Sequence, residues 1–200
     1  MDYLERIDEQ LFLFLNSSYA SWLDPLMVWI SGTLTWIPLY LLLLYYIIKA
    51  RRITVWITLL CLVLLVVLTD QGSGFFKAWV ERPRPCYDVS TAPLARLLMG
   101  CGGQYGFFSA HAANTFGLAT FVFLLFRKKL FFLGLLFFWA FLVSYSRIYV
   151  GKHFPGDVLA GGIFGIFAGW VVYKAEVWFQ DLYAWITMLR LRCVFARNYA

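Results

Sequence analysis

The chain has 200 residues, of which 62% are hydrophobic, 20% aromatic and only 14% charged, with a formal net charge of +6. Soluble domains usually carry about 25% charged residues, so this composition excludes one, along with a disordered chain and a disulfide-stapled secreted module. It also excludes an outer-membrane barrel, whose strands alternate in polarity, and in such a chain an excess of Lys and Arg reports topology and anionic headgroups rather than nucleic acid.

The length suits one all-α integral membrane domain: a helical bundle of about five transmembrane helices at about 20 residues each, plus an N-terminal segment. Residues 1–17 mix Asp2, Glu5, Arg6, Asp8 and Glu9 with Leu4, Ile7 and a short apolar run. That run cannot span, acidic residues precede it and no small-residue cleavage site follows, so the pattern predicts an interfacial amphipathic helix rather than a signal peptide. Apolar stretches at residues 25–48, 53–80, 106–126, 130–150 and 157–173 predict the spans, and residues 81–105 form a loop between the second and third. In the tail, residues 176–200, Trp178, Phe179, Leu182, Trp185, Ile186 and Leu189 alternate with polar residues. Such a pattern either extends the last helix or lies along the interface.

If five helices alternate in direction, three basic clusters fall on one side: Lys49, Arg51 and Arg52; Arg127, Lys128 and Lys129; and Lys174, Arg190, Arg192 and Arg197. The positive-inside rule assigns that side to the cytoplasm, which predicts a multi-pass protein of the cytoplasmic membrane with its N-terminus outside. The outer side nevertheless carries Arg6, Lys77, Arg82, Arg84, Arg96, Arg147 and Lys152. Cations beside hydrocarbon are costly and are usually kept for a ligand, so this excess predicts an anion site.

Three polar patches come to that outer face. The first runs from Lys77 to Arg84 and Pro85, the second is Phe108, Ser109, Ala110 and His111, and the third runs from Ser146 and Arg147 through His153 to Asp157. Phosphoryl transfer needs positive donors around the phosphate oxygens, an in-line nucleophile and an acid for the leaving oxygen. Lys77, Arg84 and Arg147 supply donors, and Ser109, at the start of a helix, adds its hydroxyl and nearby backbone N–H groups. His153 stands four residues before Asp157, so on a helical turn the carboxylate can orient the imidazole, leaving His153 as the expected nucleophile. His153 and His111 are the two histidines of the whole chain. Their spacing and the cysteine pattern build no metal site, and no cofactor is expected.

These patches resemble the three signature motifs of the type 2 phosphatidic acid phosphatase superfamily, K-x6-R-P, P-S-G-H and S-R-x5-H-x3-D, in the same order. The first and third match at every defined position; the second has Phe108 in place of Pro and Ala110 in place of Gly. The resemblance implies a phosphohistidine on His153, with His111 protonating the leaving oxygen and then activating water.

Other polar residues receive plainer readings. Arg82, Arg96 and Lys152 match no motif position and are assigned to headgroups or the pocket rim, while Asp70 caps or pairs with a basic group inside the bundle. Gly161, Gly165 and Gly169 recur every four residues, which lets another helix approach, from this chain or a second subunit. A bridge between Cys86 and Cys101 would contribute about 3 kcal/mol, although the glycine-rich stretch at 100–103 equally suits a mobile lid.

The resemblance thus implies a metal-independent phosphatase whose lipid phosphate or diphosphate substrate enters from the bilayer, with membrane lipids as its surroundings and no nucleic-acid partner; the oligomeric state stays open. Undecaprenyl diphosphate is the first expectation for the substrate, with phosphatidylglycerophosphate, phosphatidic acid and lipid A 1-phosphate as alternatives. A phosphate or lipid carrier is the non-enzymatic alternative, disfavoured because a carrier needs no nucleophile.

Overall fold

Helices account for nearly all the secondary structure in a computed structural model of the chain, which describes residues 2–126 and 130–198, and no strand occurs among those residues. The basic turn of Arg127, Lys128 and Lys129 lies outside them, as do the side chains of Arg190, Arg192 and Arg197.

Helix α1, Asp2–Ser17, is amphipathic. One face buries Phe12 and Asn16 against the bundle, and the other presents Tyr3, Leu4, Ile7, Leu11 and Phe14 outward. Helix α2, Asp24–Ser31, carries Pro25 in its first turn, where a missing N–H is tolerated, and stops at Gly32 in an extended conformation. A 3₁₀ turn, Leu34–Trp36, leads into α3, Ile37–Arg51. The stretch expected as one uninterrupted span over residues 25–48 is therefore broken. The break holds because side chains take up the freed carbonyls: the Thr35 hydroxyl donates to the carbonyl of Trp29 at 2.6 Å, and the Trp36 indole to that of Ile30 at 2.9 Å.

Helix α4, Val55–Val80, ends with Glu81 in the left-handed region, its N–H returning to the carbonyl of Lys77 just ahead of Pro83. Helices α5, Ala110–Phe126, and α6, Leu130–Tyr149, follow. Helix α7, Pro155–Asn198, is continuous, so the tail extends the last helix.

Two helical stretches, Leu34–Val80 (interrupted at the Arg52–Thr54 turn) and Pro155–Leu189, are long and apolar enough to cross a membrane, and Ala110–Phe126 and Gly134–Tyr149 are shorter apolar helices. Leu60, Val63, Phe138, Phe141, Leu159 and Ile163 stand exposed on the bundle surface. An apolar exterior of this extent suits lipid rather than water.

Helix α5 is central and packs against α4, α6 and, most extensively, α7. A Cβ added at Gly161, Gly165 or Gly169 would run into the backbone carbonyl oxygen of Ser109, Ala113 or Gly117 respectively. The partner of the glycine stripe is thus α5 of the same chain. Because α5 begins beside Ser109 and His111, and α7 beside Asp157, this close approach brings the second and third polar patches together.

Candidate active site

The α6–α7 connection turns sharply at Gly151, whose φ of +81° favours glycine, and then delivers His153 and Asp157, both buried. Nδ1 of His153 faces Oδ2 of Asp157 at 3.5 Å, within ion-pair range but outside hydrogen-bonding geometry. Asp157 is itself fixed: Oδ2 accepts the Phe154 N–H at 3.0 Å and Oδ1 accepts from Arg82 at 3.1 Å. The carbonyl of Asp157 accepts the N–H of Ser109 at 3.0 Å, tying the start of α5 to the start of α7.

On the other ring edge, Nε2 of His153 lies 3.5 Å from Nη1 of Arg84. Arg84 is anchored by its Nε–H to the carbonyl of Tyr105 at 3.2 Å, within a loop closed by Arg84 N–H to Gln104 O and Gly106 N–H to Arg82 O. Cys86 and Cys101 are joined as a disulfide across this loop, their Cα atoms 6.2 Å apart, so the segment expected either to be bridged or to act as a free lid is bridged. Arg147 is buried; its Nη1 donates to the Ser31 hydroxyl at 2.5 Å, while its Nε has no protein partner. Lys77, half-buried on the last turn of α4, has no carboxylate partner among the described residues. His111 lies within electrostatic reach of Arg147, His153 and Lys77.

Burial pushes the His153 imidazole down to about 4; Asp157 pulls it back up, and Arg84 and Arg147 add to the lowering. The ring is therefore neutral at physiological pH. With Asp157 favouring the proton on Nδ1, the lone pair falls on Nε2, the nitrogen that faces Arg84. Burial also lowers Lys152, reinforced by Arg147 and Arg84, which places its ammonium among the same cations. A neutral nucleophilic nitrogen inside a ring of fixed positive donors is what in-line attack on a phosphate requires.

The structure thus gathers Lys77, Arg84, Ser109, His111, Arg147, His153 and Asp157 at one end of the bundle. The two departures from the second motif are accommodated. Ala110 opens α5 without a positive φ, so no glycine is needed there, and Phe108 packs against Phe76 and Phe164 while its carbonyl accepts the Ser73 hydroxyl at 2.9 Å.

Two of the plainer readings are corrected. Arg96 does not reach for headgroups: it forms an ion pair with Asp24 and lies over the Tyr19 ring at 3.8 Å. Arg82 is likewise internal, bridging Asp8 of α1 at 2.7 Å and Asp157 at 3.1 Å, with its guanidinium over Phe154 at 4.3 Å. Asp8 also accepts the Gly156 N–H at 2.7 Å, and Asn16 donates to the carbonyls of Ile148 and Tyr149. The N-terminal helix is consequently clamped onto the loop that carries His153. Sequence reasoning missed Asp8, Asn16 and Ser31; the one available signal was polar residues interrupting apolar runs.

Known proteins resemble this chain over most of its length. Residues 54–181 match the family model described as the PAP2 superfamily. The chain is 39% identical to the lipid A 4'-phosphatase of Bacteroides thetaiotaomicron, over 86% of this chain and 78% of that protein. It is 33% identical to the lipid A 4'-phosphatase of Porphyromonas gingivalis, over 89% and 76%. A more distant relative, the undecaprenyl-diphosphatase of Sulfolobus acidocaldarius, shares 30% identity over 84% and 77%. Among solved structures, Aquifex aeolicus LpxE superposes with a TM-score of 0.63 at 30% identity, covering 82% of this chain and 93% of that one.

Proposed function

The chain belongs to the PAP2 superfamily, and from that premise we propose that it is a membrane phosphatase that removes a phosphate monoester from a lipid A-type phosphoglycolipid. Undecaprenyl diphosphate, the first expectation from sequence, gives way to a lipid A phosphate, since two relatives with higher identity than the undecaprenyl-diphosphatase are lipid A 4'-phosphatases. The observation that carries the chemical reading is His153, neutral and buried, with one ring nitrogen toward Asp157 and the other toward Arg84.

In this mechanism the phosphate oxygens lie against Lys77, Arg84, Arg147 and the Ser109 hydroxyl. Nε2 of His153 attacks phosphorus, the bond from phosphorus to the sugar oxygen breaks, and His111 delivers a proton to that oxygen. Asp157 stabilises the imidazolium character that develops on His153. Water, deprotonated by His111, then hydrolyses the phosphohistidine and releases inorganic phosphate. No metal takes part, because Lys77, Arg84 and Arg147 supply the positive charge. The proposed topology has five spans with the site at the outer face of the cytoplasmic membrane, motivated by Lys49, Arg51 and Arg52 at the opposite end.

The test is phosphate release by purified protein, in EDTA, from lipid A, undecaprenyl diphosphate and phosphatidylglycerophosphate at matched mole fraction in micelles. The highest kcat/KM is expected on lipid A. A clear preference for undecaprenyl diphosphate would restore the earlier expectation, and absence of release from all three would favour a carrier.

A further inference from the structure

The catalytic account leaves Asp70 unused, and its surroundings are specific. Asp70 is exposed on α4, within the stretch whose outer face is Val63, Val66, Val67 and Leu68. An ionisable group on such a surface is expensive and normally marks a functional position. Among the described residues it forms no ion pair with a basic group, one of the two readings, capping or pairing, that the sequence allowed. Its protein partner among the described residues is Asn114, whose amide donates to Oδ1 at 2.8 Å. The Asn114 carbonyl accepts the hydroxyl of buried Thr69. A carboxylate cannot donate, so the Asn114 amide has its nitrogen toward Asp70, leaving one N–H of Asn114 and the second oxygen of Asp70 uncommitted.

This pair is continuous with the phosphate site. Asp70, Gly74 and Lys77 share a face of α4, and a Cβ at Gly74 would meet nothing, so the path between the two charged groups is open. On α5, Asn114 lies one turn below His111. Seven residues of helix set Asp70 roughly 10 Å deeper than Lys77.

We propose that Asp70 and Asn114 form a second subsite that recognises the amide and hydroxyl groups of an N-acylated amino-sugar phosphate lipid, a reading that rests on the function proposed above. The chemistry selects this class. A polyprenyl chain offers no hydrogen-bonding group at that depth, and a diacylglycerol phosphate offers ester carbonyls, which only accept. An acylated amino sugar carries an amide, with one donor and one acceptor, and 3-hydroxyacyl chains add further donors. The free oxygen of Asp70 complements the amide N–H or a hydroxyl, and the free N–H of Asn114 complements a carbonyl.

The experiment measures kcat/KM for the full-length protein in mixed micelles on two lipids: a glucosamine 4-phosphate bearing N-linked 3-hydroxyacyl chains, and a phosphatidic acid of matched chain length. For the unmodified protein the ratio favours the glycolipid. In Asp70→Leu that ratio falls by about 10- to 100-fold, the effect of losing a hydrogen bond to a charged group, and it falls through KM rather than kcat. Asp70→Asn, which keeps an acceptor for Asn114 and so guards against misfolding, loses less, and Asp70→Glu restores most of the ratio. An unchanged ratio in Asp70→Leu, or equal losses on both lipids, overturns the subsite while leaving the phosphatase reading intact. Failure of the unmodified protein to cleave the glycolipid removes the function reading, and the subsite with it.

Discussion

The two ends of the bundle both bury charge, and they treat it in opposite ways. Nineteen residues beyond Asp157, roughly 28 Å along α7, Glu176 is fully buried. It takes Arg51 at 3.1 Å, the Thr58 hydroxyl at 3.0 Å and the Gln180 amide at 3.0 Å, so one acid receives three donors from three helices. At the other end Lys77, Arg84, Arg147 and Lys152 converge with no carboxylate partner among the described residues, while the local acids Asp8 and Asp157 are held by Arg82. The first arrangement is closed and ties α3, α4 and α7 together. The second is short of negative charge, as a site for a phosphate must be before its ligand arrives.

The sharpest way to break this contrast is to remove the proposed nucleophile. His153→Ala should lower phosphate release by roughly 10⁴- to 10⁶-fold, the range seen when a covalent catalyst is deleted, with the protein still monodisperse in detergent. Burst kinetics on an activated aryl phosphate would check it, and substantial turnover by this variant would place the nucleophile elsewhere.

The next effect tests whether the clamp from α1 belongs to the site or merely holds the helix. Arg82→Gln leaves Asp157 without its cation, and Asp8→Asn removes the other half of that bridge. Each should reduce kcat by about 10- to 100-fold, as for loss of an interaction that orients a catalytic group, with little change in KM because neither residue is proposed to touch phosphate. A loss confined to thermal stability would make α1 a structural strap only.

Glu176→Gln gives the converse. Arg51 is partly exposed and can turn to water, so the cost should be about 1–3 kcal/mol rather than the larger penalty of a fully stranded buried charge. Activity per folded molecule should stay within about twofold, since the site lies a membrane's thickness away. Matched losses of activity and stability would show that the two ends are coupled through α7.

How far this difference could be read in advance depended on range. The apolar runs gave the helices, because 20 residues without charge leave the backbone few alternatives. Lys77, Arg84, Ser109, His111, Arg147, His153 and Asp157 were legible as a set because each sits at a fixed offset within a short segment. What was not legible came from contacts far apart in sequence: Asp8 with Arg82, Ser31 with Arg147, Asp24 with Arg96 and Arg51 with Glu176. Those pairings depend on where α1 and the break at Gly32 settle, and no local pattern encodes them. Arg82 and Arg96 illustrate the cost: read as contacts to headgroups or the pocket rim, both turned inward because an acid from another segment was there to meet them.

The smallest effect reports how deeply the His153 imidazole is buried. His153 is held at about 4 in the folded protein, below an ordinary histidine near 6.5, chiefly by burial. A depressed histidine favours the neutral form in the native state and the protonated form in the unfolded one. Its stability is therefore intact above about pH 6.5 and is lost as the pH falls from 6.5 toward 4. Between pH 7.5 and 5 the loss should be about 2 kcal/mol. His153→Gln, which cannot take up that proton, should show a shallower decline of unfolding midpoint across this window, measured by thermal denaturation in detergent. Asp157→Asn should leave the decline in this window almost unchanged and carry it on to lower pH, because Asp157 opposes the lowering. If His153→Gln declines as steeply as the parent protein, His153 does not carry the acid sensitivity, and the buried neutral imidazole that the mechanism begins from would have to be given up.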